Sequence, residues 1–163
     1  MMERVKSIFS RRNSDDAFTL IELMVVVLII GILVAIAVPT FLGARKGAQD
    51  KAAESSLRNA LTAAKVFYTD NNSYSGVTTA AMASLEPTLS WVSSLGSTPV
   101  TNTVAVSVAT DGAVCLISES ASGSYFGIAD NPTSGTTSYY KGSTAPACDT
   151  GFTSGTSATT AGW

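Results

Sequence analysis

The 163-residue chain contains no histidine. That removes the side chain most often used as a general base near neutral pH, the nucleophile–histidine arrangements and most zinc sites. Charge is scarce as well: Asp, Glu, Lys and Arg make up 13% of residues, against roughly 25% in soluble domains. Ten cations and twelve anions leave a formal charge of −2, too small and of the wrong sign for nucleic-acid binding through bulk charge. A nucleic-acid partner is thus unsupported and would have to rest on local contacts. Cysteine is limited to Cys115 and Cys148, 33 positions apart and outside any CxxC spacing, so no metal site and no cofactor are expected. Carboxylate pairs such as Asp111 and Glu119 remain, and nothing in the sequence poises them. An enzyme is not expected. With 45% apolar residues, a disordered polyelectrolyte is excluded too.

What charge there is lies unevenly. Residues 1–68 hold nine Lys/Arg and six Asp/Glu, whereas residues 69–163 hold only Lys141 against six carboxylates. Residues 1–17, with Arg4, Lys6, Arg11 and Arg12, read as a cytoplasmic leader. From Leu23 to Leu42 come 20 residues without a charge, which at about 1.5 Å of rise each cross the roughly 30 Å of a bilayer's hydrocarbon core. This is a transmembrane candidate, longer than the roughly 7–15 apolar residues of a secretory signal. Arg45, Lys46, Lys51 and Arg58 follow it closely and nearly balance the leader, so the basic residues do not fix its orientation.

Beyond the span, Ala48, Ala52, Leu57, Ala60, Leu61, Ala64 and Tyr68 recur near helical spacing among charged residues, and Glu54 and Arg58 form a favourable i,i+4 pair. Asp70, Asn71 and Asn72 supply a stop. One helix is therefore expected from Phe18 to about Thr69, some 78 Å long at about 1.5 Å per residue. No single domain of this size buries such a helix along its length, so its first half needs lipid or other subunits. Residues 70–100 read as a connection with at most one short helix, and Asn71-Asn72-Ser73 as a turn rather than a glycosylation site. Val104, Val106 and Val108 alternate before an Asp111-Gly112 turn, and further strands are expected at Tyr125–Ala129 and Thr136–Lys141. The class is α+β: a long N-terminal helix whose second half carries the apolar face of a small antiparallel sheet. Tyr125, Tyr139 and Tyr140 are assigned to the core rather than to an exposed stacking surface. The Ser/Thr-rich tail reads as solvated.

Cys115 and Cys148, if oxidised, close a loop of about 34 residues and stabilise by roughly 3–4 kcal/mol. The alternative is two separate buried thiols. A bond would put the C-terminal part outside the cytoplasm and so decide the orientation.

Ala17-Phe18-Thr19-Leu20-Ile21-Glu22-Leu23-Met24-Val25-Val26, followed by a span with Gly31 and Pro39, resembles the processing motif and N-terminal helix of type IV pilins and pseudopilins, prepilins with a class III signal peptide. The resemblance covers residues 17–68, and the remainder is similar only in plan. It implies three segments: a cleaved leader over 1–17, a helix over 18–69 with 18–42 in the membrane or filament core, and a globular head over 70–163. It also implies cutting by a prepilin peptidase between Ala17 and Phe18 and methylation of the Phe18 amine, although Ala17 stands where Gly is usual. Glu22 is the sole charge from Phe18 to Leu42. The resemblance implies that it meets the Phe18 amine of a neighbouring subunit during assembly, where a helix N-terminus already favours a carboxylate. Gly31 and Pro39 are poor interior helix residues and mark sites of local melting, or of close packing at Gly31. The implied function is that of a structural subunit, a major pilin. It is held in the cytoplasmic membrane with its head outside, then polymerised by the inner-membrane assembly machinery into an extracellular homo-oligomeric filament for adhesion, motility or DNA uptake. A type II secretion pseudopilin, or a minor binding subunit at a filament tip, is the alternative.

Overall fold

Helix α1 runs unbroken from Leu20 to Asn71, 52 residues in which the first 23 carry no charge except Glu22. The computed structural model describes residues 18–95, 102–148, 152, 158, 159 and 163. The leader, Ala17 included, lies outside the described residues, as does most of the tail. The chain divides into two units, residues 1–41 and 42–163.

In the first unit, 17 large apolar side chains from Phe18 to Phe41 are exposed. Withdrawing each from water is worth about 1.5–3 kcal/mol, so their sum exceeds the 5–15 kcal/mol or so by which domains are usually stable. This stretch is the helix long and apolar enough to cross a membrane. Pro39 removes one donor from the helix ladder, and Thr40 turns its hydroxyl back onto the Ile36 carbonyl at 3.0 Å, yet the helix continues.

In the second unit the C-terminal half of α1 is amphipathic in fact as well as in pattern. Ala53, Leu57, Ala60, Ala63 and Ala64 are buried together with Val104, Val106, Val114, Leu116, Phe126 and Ile128 of the sheet. Small alanines let the sheet approach the helix closely while Leu57 fills the space between them. Asn72, in the left-handed region at φ 53°, ends the helix, its amide donating to the Tyr68 carbonyl at 2.7 Å.

The connection holds two elements, helix α2 (Thr79–Leu85), capped by the Thr78 hydroxyl, and strand β1 (Ser90–Val92). The sheet continues with β2 (Thr103–Val108), β3 (Val114–Glu119), β4 (Tyr125–Asn131), β5 (Thr136–Gly142) and β6 (Ala158–Thr159), in that spatial order. Pairing is antiparallel from β2 to β5, as expected; β6, in the tail that reads from the sequence as solvated, adds antiparallel to β5, and β1 lies parallel to β2 with Ser90 opposite Thr103. Three residues give no readable alternation, which is why β1 escapes the sequence.

The glycine of the Asp111-Gly112 turn has φ +85°, a conformation that side chains disfavour. Tyr140 is buried and Tyr125 and Tyr139 pack partly buried against the two cores, the assignment expected of them. The Glu54–Arg58 pair does not form. Glu54 is buried and pairs instead with Lys51 at 2.7 Å, while the Arg58 guanidinium stands 5.9 Å from the ring centroid of Trp163. An i,i+3 partner reaches a buried carboxylate here, and a desolvated aromatic face draws the larger cation away.

Candidate functional site

The N-terminus of α1 is built by Phe18, Thr19 and Glu22. Thr19 stands at the N-cap, and its hydroxyl accepts from the Glu22 amide at 3.2 Å. Glu22 reaches back with Oε2 to the Thr19 amide at 3.0 Å and to the Thr19 hydroxyl at 2.7 Å. This reciprocal pattern is a capping box, satisfying two backbone donors that a helix start leaves open. The T-x-x-E spacing ahead of an apolar run announces it in the sequence, where Glu22 was expected only as a counter-charge. Phe18 immediately precedes the cap and is exposed. Both Glu22 bonds use Oε2.

Gly31 faces open space: a Cβ built on it meets nothing within 4 Å. The helix passes through both Gly31 and Pro39.

The head's second feature is the disulfide. Cys115, on β3, and Cys148 are bonded with Cα atoms 5.8 Å apart. Of the two readings left open by the sequence, the bonded one is correct. It ties the segment after β5 across the sheet face opposite α1, where Ala105, Cys115, Ile117, Ala129 and Tyr140 are buried with Phe152. The Phe152 ring lies on Gly127 of β4, where a Cβ would come within 2.9 Å of the ring. Both faces of the sheet are therefore covered, one by helix and one by a disulfide-held strap.

A polar cluster binds the α1–α2 connection to the sheet. The Tyr74 hydroxyl donates to Asp130 Oδ2 at 2.7 Å, the Thr137 hydroxyl donates to Oδ1 at 2.7 Å, and Lys65 Nζ lies 3.5 Å away. Burial, followed by the hydrogen bond and charge of Asp130, pushes the Tyr74 hydroxyl well above its ordinary range. Asp111 precedes β3, and Glu119 is its last residue. Asp111 accepts from the Ala113 amide and from Asn131, and Glu119 lies across the ladder from Tyr125. No acid–base pair is formed from them.

A long helix, bare and apolar over its first half and capped at its start, followed by a small disulfide-bonded sheet, is the architecture of a pilin. The N-terminal residues match the prokaryotic N-terminal methylation motif over residues 12–38. The chain is 38% identical over 106 residues to the type IV wide pilus major component PilA4 of Thermus thermophilus, covering 65% of this chain and 73% of that one. It is 45% identical over 67 residues to the type IV major pilin protein PilA of Myxococcus xanthus, covering 41% of this chain and 30% of that one. No solved structure matches it. The chain belongs to the type IV pilin family.

Proposed function

We propose that this chain is a major-pilin structural subunit, cut between Ala17 and Phe18 by a prepilin peptidase and methylated on the Phe18 amine. It is stored in the cytoplasmic membrane with its head outside, and the pilus assembly machinery then polymerises it into an extracellular filament. One observation carries the reading: the first half of α1 is apolar and exposed on every side, with one carboxylate at its start. Such a surface needs lipid or copies of itself. The relatives' names supply the second half of the argument, since both are major pilus components.

Assembly is an exchange of surroundings. Lipid around residues 18–42 gives way to the same segment of other subunits, so the gain comes from packing and polar pairing rather than from the hydrophobic effect, which lipid already satisfies. Cutting turns the Phe18 peptide nitrogen into an ammonium. Burying it in a filament core without a counter-charge costs several kcal/mol, and Glu22 of a neighbour provides that counter-charge. The capping box holds the carboxylate at the helix start ready for this pair. Gly31 and Pro39 are where the helix yields if the bundle demands it. The head lies outside the cytoplasm, in keeping with its disulfide. The role is structural rather than catalytic.

Electron microscopy of sheared surface material, with mass spectrometry of its main protein, tests the reading. Filaments whose principal subunit begins at a methylated Phe18 are expected. Filament-free surface material, or a subunit beginning at Met1 or beyond Val38, contradicts it.

A further inference from the structure

We propose that Arg45 and Lys46 grip the phosphate groups of anionic phospholipids where α1 leaves the bilayer, fixing the depth at which the stored subunit sits. The inference rests on the reading of residues 18–42 as the membrane span.

Four observations lead to it. Leu42 is the last large apolar residue of the span, and Arg45 and Lys46 follow three and four residues later, about 4.5–6 Å further along the helix axis. A headgroup layer occupies about 5–7 Å outside the hydrocarbon on each side, so the two cations fall at phosphate level. Both are exposed. Among the described residues the ion pairs are Lys51 with Glu54 and Lys65 with Asp130, and neither Arg45 nor Lys46 has one.

The flanking Gly43 and Gly47 add room. A Cβ built on either meets nothing within 4 Å, so among the described residues nothing in the head covers this collar of helix and a headgroup can approach the backbone itself. The charge beyond the collar has the opposite sign: from residue 69 onward one lysine faces six carboxylates. An anionic surface repels that head, and the collar is the place where the chain can hold such a surface.

Lipid fits better than a second copy of the chain. Consecutive helical residues point about 100° apart, so one carboxylate of a neighbour cannot take both cations, whereas headgroups surround the helix. Arg45 presents a planar fork that matches two phosphate oxygens, and Lys46 a point charge on a flexible stem that reaches along the helix.

The test uses the full chain in nanodiscs of phosphatidylglycerol and phosphatidylcholine in equal amounts, ejected intact into a mass spectrometer so that retained lipids are counted. Wild type is expected to retain phosphatidylglycerol preferentially. That preference should fall about fivefold for each cation removed in Arg45→Gln and Lys46→Gln, and stay unchanged in Arg58→Gln. Inorganic phosphate in the buffer should not displace the lipid, and displacement would reduce the site to one for free anions. An unchanged preference in the double variant overturns the inference, because the selectivity then belongs to the leader cations. So does a dimer that weakens in the double variant while lipid retention holds. Hydrogen exchange over residues 23–42 in the same nanodiscs is read separately. Protection there with no lipid preference refutes only the grip, while loss of protection refutes the membrane span and the grip with it.

Discussion

Thr19 and Glu22 bond each other in both directions, the threonine hydroxyl taking the glutamate amide and the glutamate taking the threonine amide and hydroxyl. The carboxylate expected to serve a neighbour thus already serves its own helix. Within one subunit it completes the helix start. In the proposed filament it supplies the counter-charge to a neighbour's Phe18 amine. The two roles are compatible, because Oε2 carries both intrachain bonds and a carboxylate has a second oxygen.

Thr19→Ala removes the cap while keeping the charge. Its cost should be about 1 kcal/mol at the helix start, read as faster hydrogen exchange at the Glu22 amide in detergent, by about fivefold. Filament assembly should persist, because the counter-charge remains. Thr19→Ala that abolishes filaments with Glu22 intact would make the cap, and not the charge, the essential feature.

The strap over the far sheet face depends on the bond between Cys115 and Cys148. Cys115→Ser, or reduction, should lower the stability of the head by roughly 3–4 kcal/mol. Denaturant unfolding of the full chain in micelles, followed by Trp91 and Trp163 fluorescence with and without reductant, checks this.

Gly127 is held open by Phe152. Gly127→Ala places a methyl group against the ring and should cost about 1–3 kcal/mol, as overpacking usually does. In a Phe152→Ala background the same change should cost much less, because its clash is gone. Equal costs in both backgrounds, measured by denaturant unfolding, would remove Phe152 from the account.

Tyr74 makes the head sensitive to alkali. Its hydroxyl is raised above its ordinary range, chiefly by burial and then by Asp130. The folded head therefore keeps a proton that the unfolded chain releases above about pH 10. Stability from this group is complete below that pH and falls as pH rises beyond it, since the unfolded state then binds fewer protons. Tyr74→Phe should cost about 1 kcal/mol at neutral pH through the lost hydrogen bond, and should flatten the decline above pH 10. A decline as steep as that of wild type would show that another group titrates.

Much of this was legible in the residues. The helix was expected over 18–69 and runs over 20–71, because a charge-free run and an amphipathic run join without a breaker strong enough to part them. The hairpin at Asp111-Gly112 and the strands that follow it stand where the turn signals put them. What was hidden depends on contacts between distant positions. The partner of Glu54 turned on which side of the helix is buried, and the parallel β1 on a pairing that three residues cannot announce. The buried second face of the sheet turned on Phe152, which meets Gly127 only through a disulfide-held fold-back. The capping box is different in kind: its T-x-x-E spacing was in plain view, beneath the family role of Glu22.

The claim at the centre of the account is that Glu22 is needed for assembly and not for storage in the membrane. Glu22→Ala and Glu22→Gln both remove a charge from an apolar segment, where a carboxylate costs on the order of 2.5–3.5 kcal/mol at mid-bilayer and less near an end. Glutamine keeps the size and an acceptor for Thr19, so it separates charge from capping. Immunoblots of cell membranes and of sheared surface material, with leader removal scored in the same samples, measure the outcome. Both variants are expected in the membrane with the leader removed and nearly absent from the sheared fraction. Normal amounts of filament from both would contradict the account and leave Glu22 as a helix cap alone.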